Sequence, residues 1–235
     1  MKKYFCILTL IAILCSLCAC KHSTPASIEY GTMKTYISKD HVAEFIELLG
    51  GEQELCGLLS GFILDEEHCY NVTPPQVAEE TNMKIFKFSD SCLSFVMLDN
   101  EIYELCTSFG GFGFVNAVPC DFDNDGNKDL LVASSWGSGM HRSIISVFNS
   151  VSKESTVLYD TATTDAPRID LFVATAPPSY SSKPIEDLPV YYYVYSAEII
   201  VNDMEEYNLA DLSYAATGLV GSVEIENGKP VFKPH

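Results

Sequence analysis

The chain has 235 residues, nearly half of them apolar, and carries 32 acidic side chains against 14 basic ones. A formal charge of −18 argues against direct binding of nucleic acid or of an anionic headgroup surface, and it suits cations. The length allows one domain with a real core, or two small ones.

Lys2 and Lys3 precede a mostly apolar run that ends in Leu17-Cys18-Ala19-Cys20. A basic start, an apolar middle and a small residue before a cut form a secretory signal. The segment resembles a bacterial lipoprotein signal, whose lipobox is Leu-x-(Ala/Gly)-Cys; Cys18 departs from the usual Ala, Ser or Thr at that place. The resemblance implies a signal peptide over residues 1–19 and a diacylglycerol on the Cys20 thiol through a thioether. It places the protein at the cell membrane, lipid-anchored on the extracytoplasmic face. One diacylglycerol supplies two buried acyl chains, the two-signal condition for stable anchoring. The alternative is an uncleaved anchor, for which the apolar run falls short of the roughly 20 residues a spanning helix needs. Either way the body lies outside the cytoplasm. Residues 20–31, polar and containing Pro25, read as a tether, and residues 32–235 as a single β-rich domain.

Of nine cysteines, Cys6, Cys15 and Cys18 leave with the signal and Cys20 takes the lipid. Cys56, Cys69, Cys92, Cys106 and Cys120 remain, with no Cys-x-x-Cys pair, so neither a zinc knuckle nor a redox motif is written here. An exported domain permits disulfides, but this odd, scattered set reads as buried small apolar side chains.

The body opens on a helix expected over about residues 38–49. Ser38 is placed to cap it, Val42, Phe45, Ile46 and Leu49 recur at helical spacing, and Gly50-Gly51 ends it. Strands are expected next at 85–88, 92–98, 101–105, 112–118, 130–134, 143–148, 168–174 and 191–201. Asp99-Asn100 and Asn227-Gly228 mark tight turns, the latter between strands at 222–226 and 229–233. Short strands with almost no helix between them argue a mainly β fold of antiparallel, blade-like or sandwich-like hairpins, with one N-terminal amphipathic helix. The Pro/Ser-rich stretch from Pro177 to Pro189 reads as a long loop. Tyr191 to Tyr195 suits cross-strand aromatic pairing better than a sugar-stacking surface.

One motif carries chemistry. Residues 121–129 read Asp-x-Asp-x-Asp-Gly-x-x-Asp. A cation of calcium's size takes six to eight oxygens; carboxylates at alternate positions of a tight loop can converge on it. Asp121, Asp123, Asp125 and Asp129 supply them, with the Asn127 carbonyl, and Gly126 permits the turn. Four acids so close repel one another without a cation. The alternative is a plain Asp-rich turn. The twelfth position is Val132 and no helices flank the loop, so it is not an EF-hand. Flanked by strand-like segments, it resembles the FG-GAP or VCBS repeat, the calcium-loop hairpin of integrin-type β-propeller blades. The resemblance covers roughly residues 110–136 and implies a bound Ca²⁺, structural rather than catalytic. A propeller repeats the loop from blade to blade. Here it occurs once, which argues a single such hairpin within another β-rich domain.

Beyond the loop runs Ser134-Ser135-Trp136-Gly137-Ser138-Gly139-Met140-His141-Arg142-Ser143. With Lys87–Cys92 and Phe109–Gly113 it resembles an uncharacterised domain of Gram-positive lipoproteins and of some membrane metallopeptidase C-termini, over about residues 84–149. Trp136, His141 and Arg142 are candidate ligand-binding residues; His141 and Arg142 are placed to reach an anion, a carbonyl or the Asp cluster. The alternative is a polar turn packed on the acidic hairpin. No Gly-x-Ser-x-Gly elbow, His-Glu-x-x-His or phosphate loop is present, and no catalytic residue is assigned. The expected function is a lipid-tethered, calcium-stabilised binding module for an envelope protein or glycan. The alternative is an envelope or extracellular hydrolase with a site around His141 and Arg142.

Overall fold

The computed structural model describes residues 32–51, 64–106, 110–137, 142–163, 169–175, 191–202 and 208–235, all within one unit spanning Gly31–His235. The expected signal, Cys20 and the tether lie outside these residues, as do Cys56, His141, Arg168 and the Pro177–Pro189 stretch. The described chain is mainly β, with antiparallel sheets and two helices.

A short strand β1 (Met33–Lys34) precedes helix α1 (Val42–Gly51). Ser38 does not cap that helix. Its backbone bridges Asn71 instead, and the helix begins four residues later. Helix α1 buries Val42, Phe45 and Leu49 against the first sheet, a meander of β2 (Cys69–Asn71), β3 (Lys84–Phe88), β4 (Ser94–Leu98) and β5 (Glu101–Cys106). Between β2 and β3 sits the short helix α2 (Pro75–Glu80). The Phe45 ring stacks on Phe86 at 4.3 Å between centroids, with Phe88 and Phe95 tilted beside it. A phenylalanine so enclosed contributes about 3 kcal/mol. The opposite face of the sheet carries Ile85, Val96 and Leu98, packed with Phe114, Leu130, Val132 and Phe148. Both faces are covered, which is why β4 reads as a continuous apolar run rather than an alternation.

The second sheet is the meander β6 (Gly113–Cys120), β7 (Asp129–Trp136), β8 (Arg142–Phe148) and β9 (Ser155–Asp160). The third joins β10 (Asp170–Thr175), β11 (Tyr192–Val201) and the long β12 (Leu212–Glu226), which pairs with both β1 and β13 (Lys229–Pro234). Asn227 and Gly228 turn the last hairpin with φ of 54° and 73°, and Asp99 and Asn100 turn β4 into β5 at 55° and 62°. These paired left-handed residues match the twist of the strands they join.

Side chains satisfy the backbone along the edges between sheets. The outer edge of β6 meets the first sheet, where Lys87 Nζ donates to the Phe114 carbonyl (3.1 Å) and the Phe114 N–H donates to Ser94 Oγ (3.1 Å). The outer edge of β10 meets the second sheet in the same manner. The Asn116 carboxamide donates to the Val173 carbonyl (2.6 Å) and accepts from the Val173 N–H (3.0 Å), which reproduces the two bonds of a neighbouring strand. The Leu171 N–H donates to Ser143 Oγ at 3.1 Å. Unpaired strand edges are a liability for a β protein, and these polar side chains remove two of them. Asn116 sits at a bulge between Phe114 and Asn116 in the β6–β7 register, and a bulge re-aims the side chains that follow it.

Candidate functional site

The acidic loop connects β6 to β7 and is closed by the Cys120–Asp129 pair. Phe122 turns inward, is buried and meets the Tyr192 ring at 4.9 Å. That anchor leaves Asp121, Asp123 and Asp125, at alternate positions, to share the other side. One carboxylate oxygen from each lies within 4.8 Å of the others. The turn is held by its own acids: the Asp125 N–H donates to Asp123 Oδ1 (3.2 Å) and the Asn127 N–H to Asp125 Oδ1 (2.7 Å). Asn124 and Gly126 take φ of 57° and 87°. Asp121 Oδ1 is buried and has no hydrogen-bond partner among the described residues.

Asp129 is placed differently. Its carboxylate is buried and accepts the Ser150 N–H at 2.8 Å and Asn149 Nδ2 at 3.3 Å. Desolvation pushes this carboxyl above its usual range, against the Ser150 N–H, which pulls it down. Asn149 Nδ2 also donates to Asp123 Oδ2 at 3.1 Å, so the β8–β9 turn is fastened to the acidic loop. Sequence reasoning missed Asn149 and Ser150. Asn-Ser announces a turn, but nothing local reveals a partner 20 or more residues away.

The loop forms one wall of a cleft of about 640 Å³, through Gly126, Asn127 and Lys128. Opposite stand Glu80 of α2 and Asp99 of the β4–β5 turn. Lys128 reaches Glu80 at 3.7 Å and Lys153 reaches Asp99 at 2.9 Å. The first pair is partly exposed on both sides and in the second Asp99 is mostly exposed, settings in which such contacts contribute little.

Trp136 and Arg142 are cross-strand partners on β7 and β8, with the Arg142 guanidinium 5.2 Å from the Trp136 ring. They stand at the end of β7 opposite Asp129. Eight residues of strand rise roughly 3.3 Å each, so Arg142 does not reach the Asp cluster, one of the three partners the sequence allowed for it. Backbone packs tightly here: a Cβ on Gly111 would lie 2.5 Å from the Trp136 Cα.

Cys69, Cys92, Cys106 and Cys120 are buried free thiols. Desolvation is the chief cause that pushes all four upward, Cys69 and Cys106 to about 12, so none is poised as a thiolate nucleophile. Tyr191, Tyr193 and Tyr195 form a ladder with ring centroids 6.1 and 6.2 Å apart, and Tyr195 stacks on Phe172 across the β10–β11 pair. No family model, curated protein or solved structure matches the chain.

Proposed function

We propose that the chain is a lipid-anchored, extracytoplasmic β domain with one structural calcium site, acting as a non-enzymatic binding module for a protein or glycan of the cell envelope. Two observations carry the metal reading: the convergence of Asp121, Asp123 and Asp125, and a buried oxygen of Asp121 that has no partner among the described residues. An unpartnered buried acceptor is costly, and a cation would satisfy it. An all-oxygen donor set suits a hard ion such as Ca²⁺. Asp129 would complete the set with the Asn127 carbonyl, as the FG-GAP resemblance implies. The loop's place between the first and second strands of a four-stranded meander supports that resemblance.

A ligand that binds only the native state stabilises it by RT ln(1 + [L]/Kd), about 2.7 kcal/mol at a hundredfold excess over Kd. Calcium added to chelator-stripped protein is therefore expected to raise the melting temperature, with Asp123→Ala or Asp125→Ala removing most of the rise. Magnesium is expected to do less, since it demands octahedral geometry and keeps its waters. Calorimetry showing no calcium heat, together with an unchanged melting temperature, would leave the loop as an acidic turn.

The anchor rests on the Leu17-x-Ala19-Cys20 motif. Cells fed a palmitate analogue are expected to label the wild type and not Cys20→Ala. Equal labelling of the two would refute it.

A further inference from the structure

One buried hydrogen-bond donor at the end of β7 away from the acidic loop lacks an acceptor among the described residues, and a partly exposed cation stands beside it. The Trp136 indole Nε1 is closed to solvent and makes no hydrogen bond among the described residues. Arg142, over the same ring, makes no ion pair among the described residues, in a chain with 32 acidic side chains. A buried N–H without an acceptor bears the full desolvation of that group. An indole N–H is a donor only, so whatever relieves it must be an acceptor, and the neighbouring guanidinium, also a donor only, favours one that is negatively charged.

We propose that Trp136 and Arg142 form a receptor for a single carboxylate carried by an otherwise neutral ligand. The planar fork of a guanidinium matches the two oxygens of a carboxylate. The net charge of −18 repels polyanions at long range, so the ligand carries one charge and not several. The backbone that carries Trp136 is held: Gly110 bridges Gly137 and Gly111 lies against the Trp136 main chain. Arg142 supplies the charge, its guanidinium 5.2 Å from the centre of the ring. This inference deepens the binding-module reading and rests on it in supposing a ligand. It does not depend on calcium, because the acidic loop lies at the other end of β7.

Trp136 is the only tryptophan in the chain, so its fluorescence reports on the site directly. The full chain, in excess chelator and with ionic strength held constant by chloride, is titrated with acetate. A saturable change in emission is expected with acetate and none with chloride. Arg142→Gln is expected to weaken the response about tenfold or more, the scale of a lost charge-assisted hydrogen bond. Arg142→Lys, which keeps the charge but not the fork, is expected to fall between the two and guards against a variant that fails to fold. No acetate response in the wild type, or an equal response in Arg142→Gln, overturns the proposal. Tighter binding of inorganic phosphate than of acetate overturns the assignment to carboxylate. An acetate response in protein that shows no calcium heat upholds this receptor and removes only the calcium reading.

Discussion

Replacing Gly113 with alanine is expected to cost about 4 kcal/mol of folding stability, whereas the same change at Gly126 costs about 1 kcal/mol. Both glycines sit in the left-handed region, at φ of 66° and 87°, so the dihedral penalty for an L side chain is similar. The difference is space. A Cβ on Gly113 would lie 1.9 Å from the Cys92 carbonyl oxygen and 2.7 Å from its carbon, while one on Gly126 meets nothing within 4 Å. The obstacle is backbone, and that backbone is held because Ser94 Oγ donates to the same carbonyl at 3.2 Å. Relief therefore requires moving the β3–β4 connection or the start of β6, and β6 leads into the acidic loop. Denaturant unfolding of the two variants checks the contrast. Equal losses would mean that the dihedral, and not the close approach, sets the cost.

What could be read from the sequence was whatever repeats at short range. Alternating and apolar runs marked β4, β6, β7 and β8, and the left-handed pairs Asp99-Asn100 and Asn227-Gly228 marked two hairpins, because turn chemistry is local. The acidic loop was equally plain, since its spacing lies within nine residues. Strands β2 and β9 escaped notice for different reasons. Residues 69–71 are too few to show a period, and residues 155–160 are half-exposed, with no buried face to impose one. Strand β12 was read only from Ser222 onward, because Thr217, Gly218 and Leu219 in its middle are exposed and break the apolar pattern.

The joints between sheets were not readable at all. Asn116 meets Val173 across 57 positions, Ser143 meets Leu171 across 28, and Lys87 meets Phe114 across 27. Each is a polar side chain serving the backbone of another sheet, and no periodicity encodes such a contact. The same holds for Asn149, which fastens the β8–β9 turn to Asp123 and Asp129. The metal-ligand set could be guessed from residue types; the groups that position it could not. Arg142 shows the converse limit, for one of the three partners its sequence position allowed. Adjacent in sequence to the acidic hairpin, it is separated from the loop by the full length of β7.

Lys87 leads to the second large effect. A lysine in a strand ordinarily faces solvent, yet this one is fully buried, with the Phe114 carbonyl as its hydrogen-bond partner. Burial lowers its pKa from 10.5 to about 7, with Cys106 and then Cys92 opposing that shift. Between about pH 7 and pH 10.5 the unfolded chain binds a proton at Lys87 that the folded chain has released, so this group contributes a rise in stability with pH through that window. At roughly 1.4 kcal/mol per pH unit, the gain from pH 7 to pH 9 is expected to be about 2 kcal/mol. The thiols act in the opposite sense and higher up. Cys69 and Cys106, pushed to about 12, remove stability above about pH 9, where their unfolded forms ionise. His68, raised by Asp65, also removes stability as pH rises, but through the range near neutrality, and it is solvent-exposed enough for the effect to be small. Lys87→Met keeps the apolar stem and removes the ionisable group, so the rise between pH 7 and pH 9 is expected to disappear. Below pH 7 the variant should match or exceed the wild type, which there carries a buried charge. At pH 9 it should be weaker, because the Phe114 carbonyl has lost its donor. Urea midpoints measured at half-unit steps of pH on both proteins decide the matter: parallel curves would mean that Lys87 is not the group whose burial couples stability to pH.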